Sequence, residues 1–138
     1  MKTRVFNGKE QIFCEWRHRW VRLTPEEWVR QQLLHHLVEQ LGFPASLIAV
    51  EKAIQVGETH KRCDAIVYNR SMLPVILIEC KAETVPVTQK TLDQALVYNR
   101  KLHVPYLILY NGVQIIVAQI KEDGINLLPD IPSFSDNQ

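Results

Sequence analysis

Between Val29 and Leu41 the apolar positions return every third or fourth residue: Val29, Leu33, Leu37 and Leu41, flanked by Leu34 and Val38. That spacing gathers them on one broad helical face. Thr24 and Glu27 supply the T-x-x-E capping pattern, Pro25 suits a first turn, and Gly42 and Pro44 end the run, so the spacing predicts a helix from Pro25 to Leu41. The period then shortens. Ile48 to Val56, Arg62 to Tyr68 and Val75 to Lys81 read as strands, the last two joined by the turn-forming NRSMLP. Gln89 to Leu102 returns to helical spacing, and Tyr106–Tyr110 and Val113–Ile120 read as a strand pair around Asn111-Gly112. A further strand fits within the first twenty residues.

Helix, three strands, helix, two strands is the order of an α/β protein with one mixed β-sheet flanked by helices. The second helix is long enough to return the strand at 106–110 parallel to the one at 75–81. A chain of 138 residues has room for one core, so residues 1–138 are read as a single domain whose residues from Asp130 onward form a loose tail. No apolar run is long enough to span a bilayer, and the first residues lack a signal peptide's apolar stretch, which predicts a cytoplasmic protein. The net charge of +1 does not announce a polyanionic partner, yet residues 1–22 hold six Lys and Arg against Glu10 and Glu15. Cys14, Cys63 and Cys80 have no zinc-binding spacing and are read as small core residues.

The apolar run VILI, Val75 to Ile78, leads directly into Glu79, Cys80 and Lys81. Strand alternation puts Glu79 and Lys81 on one face. If Tyr68 pairs with Val75, antiparallel register sets Asp64 opposite Glu79, and Cys63 opposite Cys80 on the other face. Two adjacent carboxylates repel, and a divalent cation with a preference for hard oxygen ligands, such as Mg²⁺, is an economical compensation. Lys81 can then orient or help deprotonate a water and offset charge on a phosphorane-like transition state. The plain alternative is a salt bridge in which Lys81 neutralises one acid at an exposed strand end. His35 and His36 lack a further ligand at helical spacing and are read as packing or surface residues.

With VRLTPEEWVRQ at 21–31, VEK at 50–52, RCDAIVY at 62–68, VILIECKA at 75–82, DQALVYN at 93–99 and YLILYNG at 106–112, the sequence resembles the PD-(D/E)xK nuclease superfamily. In particular it resembles the N-terminal nuclease domain of type I restriction enzyme R subunits, over about residues 20–120. The resemblance implies a restriction-endonuclease-like αβββαβ core. It implies Asp64 and Glu79 as metal ligands, joined by the Cys80 backbone carbonyl, with Lys81 as the catalytic lysine. The family's Q-x-x-x-Y motif falls on Gln94 and Tyr98, four residues apart on one helical face; from the residues alone these are a surface amide and a core edge. Cys63 stands where the superfamily's name places a proline.

Glu51 is either a further acid at the same edge or a surface partner of Lys52 or Arg62; Glu39 is a weaker candidate. Lys61, Arg62 and the basic N-terminal segment can contact DNA phosphates. The expected function is therefore a Mg²⁺-dependent DNA endonuclease, with Mn²⁺ as a substitute metal. The alternative is a non-catalytic nucleic-acid-binding or interaction module that keeps the fold. The chain has no G-x-x-x-x-G-K-[ST] phosphate loop, so an ATP-driven motor would come from partner restriction subunits. Cutting both strands would need a homodimer or two successive events.

Overall fold

The computed structural model describes residues 1–51, 53–56, 59–62 and 64–134, with 53–56, 59–62, 98 and 101 as backbone only. The chain opens with an antiparallel three-stranded sheet of β1 (Thr3–Phe6), β2 (Lys9–Cys14) and β3 (Arg19–Arg22). Helix α1 (Pro25–Glu39) follows, then a short 3₁₀ turn at Ala45–Leu47 and β4 (Ile48–Val50). Strands β5 (Ala53–Val56) and β6 (Thr59–Arg62) pair with each other in a two-stranded sheet. Next come β7 (Ala65–Tyr68), β8 (Pro74–Cys80), α2 (Gln89–Leu102), β9 (Tyr106–Tyr110), β10 (Ile115–Lys121) and β11 (Gly124–Leu128).

The main sheet runs β11-β10-β9-β8-β7-β4, antiparallel throughout except for the parallel β8–β9 pair that α2 connects. Because β8 is covered on both sides, it needs apolar residues on both parities, which explains the unbroken VILI run. One face of the sheet, with Ile76, Ile78, Cys80 and Ile108, packs against Val29, Leu33, Leu34 and Leu37 of α1. The opposite face, with Ile66, Leu77, Leu107 and Leu109, packs against Leu92 and Ala95 of α2. Among the described residues, no helix is long and apolar enough to cross a membrane.

The mixed sheet, the flanking helices and the parallel crossover are as the sequence predicts, and α2 has the predicted bounds. Several details differ. The predicted strand 48–56 is two strands, because Glu51 takes a left-handed conformation (φ 57°) that breaks the extended run. The predicted strand 62–68 is likewise split, with a bend at Asp64. The first twenty-two residues hold three strands where one was expected. β11 was not foreseen. The chain reverses between β9 and β10 through a four-residue loop rather than a two-residue turn: Tyr110 pairs with Ile115, and the Asn111 side-chain oxygen accepts from the Val113 and Gln114 amides. Beyond Asp130, Ile131 and Phe134 still pack on the α1-side core, with Phe134 5.6 Å from Phe43.

The β7–β8 register differs near the turn and agrees near the charged end. Tyr68 pairs with Pro74, not Val75, and an irregularity between Val67 and Tyr68 absorbs the offset. From Val67↔Ile76 to Ala65↔Ile78 the predicted register holds, and its next step would set Asp64 across from Glu79. The suggested partner of Cys80, Cys63, lies outside the described residues; Cys80 itself is buried in the α1-side core.

Candidate active site

The site lies where β7 begins and β8 ends, beneath the first two turns of α1. Asp64 is fixed from two sides. Its Oδ2 accepts from the Cys80 amide at 2.8 Å, and its Oδ1 accepts from Arg30 Nη2 at 2.8 Å. Its backbone carbonyl accepts from the Glu51 amide at 2.8 Å. β8 thus supplies a backbone donor to Asp64 and also carries Glu79, which is half-buried and on the same parity of the strand as Leu77. Lys81 follows at the strand's end, half-buried, with its amide donating to the Tyr110 carbonyl at 2.9 Å. Hydrogen bonds on both neighbouring strands hold this end, which gives the charged groups a rigid base.

Glu51, Glu27, Arg17 and Arg30 make this more than a pair of acids. Arg30, only 8% exposed in its side chain, reaches Glu27 at 2.8 Å and Glu51 at 3.2 Å as well as Asp64. Arg17, from the β2–β3 turn, bonds Glu51 at 3.0 Å and also Glu27. Gln31 donates to Glu27 at 2.9 Å. Glu51, with a left-handed backbone, bonds Arg17 and Arg30, and Arg30 also holds Asp64; the side chains of its other expected partners, Lys52 and Arg62, lie outside the described residues.

Glu27 departs from the capping-box reading in one respect. Its amide donates to the Thr24 hydroxyl at 3.0 Å, as an N-cap requires, but its carboxylate is taken into the ionic network. Three donors, two of them charged, outweigh the single bond back to the helix end.

Glu26, not singled out by the sequence, completes the arrangement. It lies 3.6 Å from Arg30 Nη2 and within hydrogen-bonding reach of Asp64. Burial first, and the Asp64 carboxylate second, hold its carboxyl above the ordinary carboxylate range, against the pull of Arg30 and Lys81. The Cys80 thiol is pushed well above its usual value, by burial and then by Asp64. Four carboxylates, from Glu26, Glu27, Glu51 and Asp64, therefore share the guanidinium groups of Arg17 and Arg30. Lys81 pulls electrostatically on Glu26, while Glu79 leaves β8 on the parity of Leu77. A cleft of about 510 Å³, lined by Arg22, Glu26, Arg30, Glu51 and Ala82 among others, opens this cluster to solvent.

The donor chemistry fits a divalent cation. An acid pair in contact and more carboxylates than cations are relieved by a hard cation, and an Asp64 already accepting two bonds keeps lone pairs for a third partner. The described residues hold no ready-made cluster of three His, Cys, Asp or Glu ligands. The implied set of two carboxylates and a backbone carbonyl leaves the remaining positions to water, as Mg²⁺ favours.

The other expected residues lie on α2 and β6. Gln94 is on the exposed side of α2, away from the inward Leu92 and Ala95, with no hydrogen bond to the strand end among the described residues. Tyr98 is on α2, but its side chain lies outside the described residues, as do those of Lys61 and Arg62 on β6. Of the missed residues, Glu26, Glu27 and Arg30 carry one faint signal: PEEWVRQ sets two acids and a cation within two turns of one helix.

Residues 25–132 match the family model described as Type I restriction enzyme R protein N terminus (HSDR_N). Among solved structures, the chain is similar to a fragment assigned as an HsdR subunit of a type I restriction enzyme from Vibrio vulnificus YJ016, at 20% identity and a TM-score of 0.58. That match covers 79% of this chain and 23% of the other, so the chain spans about a quarter of the relative's length. It is also similar to a protein of the DUF820 group assigned as a nuclease, from Anabaena variabilis ATCC 29413, at 10% identity and a TM-score of 0.50, covering 87% of this chain and 76% of that one. At these identities the structural likeness bears on the fold, a restriction-endonuclease-like mixed sheet. No curated protein matches.

Proposed function

Because the chain belongs to the type I restriction enzyme R protein N-terminus family, we propose that it is a metal-dependent DNA endonuclease domain that hydrolyses phosphodiesters at the end of β8. The observation that carries this reading is the convergence on Asp64: the Cys80 amide and Arg30 fix its carboxylate beside Glu26, one residue beyond the ladder that leads to Glu79. Asp64, Glu79 and the Cys80 carbonyl would hold Mg²⁺, with Mn²⁺ as a substitute. The ion, when bound, supplies Lewis-acid polarisation of the phosphate and a more acidic water.

The chain's own residues do the rest. Lys81 orients the attacking water and takes or shares its proton, then offsets negative charge as the phosphate becomes five-coordinate. Arg30 holds Asp64 in one orientation and limits repulsion among the acids. Gln94 and Tyr98 would act from α2 by positioning Lys81 or a DNA phosphate, and Lys61 and Arg62 by contacting the DNA backbone. One such site cuts one strand. Cleavage of both would come from a second copy, or from successive events with partner restriction and motor subunits.

Plasmid nicking followed while Mg²⁺ or Mn²⁺ is titrated tests this function. Cleavage is expected with either ion, and Asp64→Ala and Lys81→Ala should each lower its rate by about a hundredfold or more, comparable to removing one group that acts in the transition state. Wild-type protein that binds DNA but cuts with neither ion would instead be the non-catalytic binding module.

A further inference from the structure

The first twenty-two residues form a sheet ahead of the segment that matches the family, and its two faces are chemically unlike. The register sets Phe6 against Lys9, Arg4 against Gln11, Gln11 against Arg22, and Phe13 against Trp20, while the Phe13 amide donates to the Lys2 carbonyl. Residues paired across strands share a face, and alternate residues along a strand do too. One face therefore carries Lys2, Arg4, Lys9 and Arg22 with Phe6, Phe13 and Trp20. Ile12 and Cys14, both buried, mark the opposite face as the one turned to the protein, and Glu10 shares their parity. The outward face holds cations, rings and one amide, and no acid.

The rings and cations are interleaved. The Arg4 guanidinium lies 4.3 Å from the Trp20 ring centroid and 4.8 Å from that of Phe6. Phe13 meets Trp20 edge-on at 5.5 Å. Phe6 nevertheless stays 51% exposed, which no packing need of such a small sheet explains. At the far edge, Arg22 also lines the cleft that Glu26, Arg30 and Glu51 line, so the outward face runs to the rim of the candidate active site.

We propose that this outward face binds single-stranded DNA and leads the strand toward the cleft. Its charge complements phosphates, and Phe6, Phe13 and Trp20 offer stacking surfaces that unpaired bases can use and paired ones cannot. A duplex would engage the cations alone. The proposal deepens the nuclease function by naming the form of the substrate, and it rests on that reading only in taking the strand as DNA and as substrate.

Binding can be measured apart from cleavage. Anisotropy of labelled oligothymidylate, hairpin duplex DNA and oligouridylate, with the full chain in EDTA, separates the two. Oligothymidylate should bind at least tenfold tighter than the duplex. Phe6→Ala should weaken it about fivefold or more, leave the duplex unchanged, and be rescued by Phe6→Trp. Arg4→Glu with Lys9→Glu should remove most binding and flatten its salt dependence. Each variant is at an exposed position, and an unchanged thermal melt would show that the fold survives. Equal affinity for both DNA forms, indifference to Phe6→Ala, or a preference for oligouridylate would overturn the proposal, whether or not the protein cuts DNA.

Discussion

Helices α1 and α2 cover opposite faces of one sheet, yet they bury polar groups for different ends. The buried polar residues of α2 finish its own termini. Thr91 closes the capping box with Thr88, and Asn99 exchanges bonds with the Val104 amide and carbonyl at 2.8 and 3.1 Å. Two of those of α1 reach away from their helix: Glu27 and Arg30, at 6% and 7% exposure, join the β2–β3 turn, Glu51 and Asp64, while the buried Gln31 donates to Glu27. Local polar burial completes a helix, whereas long-range polar burial builds a site. Asp64, one of two acids 2.8 Å from Arg30, is where the two strand ends meet.

This difference should appear as unequal costs. Arg30→Ala leaves Glu27, Glu51 and Asp64 crowded and without their shared cation, and should destabilise the protein by about 3–5 kcal/mol in urea unfolding. Arg30→Lys should recover only part of the loss, since one ammonium cannot reproduce a planar fork that meets three acids. Similar stability in Arg30→Ala and wild type would show that the network is dispensable and break the contrast between the helices.

On the other side of the sheet, Asn99→Ala strands one amide and one carbonyl of Val104 in a buried place. It should cost about 1–3 kcal/mol. Because neutral partners are involved, the loss should be the same in low and high salt, and DNA cleavage measured well below the melting temperature should be unchanged. A loss of cleavage in Asn99→Ala without a loss of stability would put α2's polar residues in the site after all.

The same distinction decides what was legible in the sequence. Patterns that act over a few residues carried through: α2 between Thr88 and His103, the apolar β8, and the crossover that makes β8 and β9 parallel. The β7–β8 register next to the charged end was legible because antiparallel register is arithmetic, and from Val67 to Ala65 it survived a wrong pairing at Tyr68 because the irregularity lies on the turn side of Val67. What failed depended on distant contacts. The T-x-x-E pattern predicts a local role for Glu27, but Arg17, ten residues earlier, claims its carboxylate. At the break Glu51 bonds Arg17 and Arg30, distant residues that nothing between 48 and 56 announces. Only one strand of the three-stranded N-terminal sheet was read, because its outward face is basic and aromatic, so its strands lack the usual alternation of apolar and polar residues.

The smallest effect tests the acid pair at the heart of the site. Glu26 has a half-exposed side chain, and its carboxyl binds a proton more tightly in the folded protein than in a free chain, through burial and then Asp64. A carboxyl raised in this way contributes stability only while protonated: the contribution is complete below its unfolded pKa and is lost as pH rises through the folded one. At neutral pH, in EDTA, its charge is therefore a cost. Glu26→Gln should raise the melting temperature there, by an amount in keeping with the ~0–1 kcal/mol of exposed ion pairs. The gain should shrink as pH falls through the carboxylate range, where the wild type takes up the proton that the amide replaces. Mg²⁺ should narrow the gap at neutral pH as well, because a cation beside Asp64 offsets the same repulsion in the wild type. A melting temperature lowered by Glu26→Gln at neutral pH would mean that Arg30 and Lys81 already balance the pair, leaving no surplus charge for a metal to relieve.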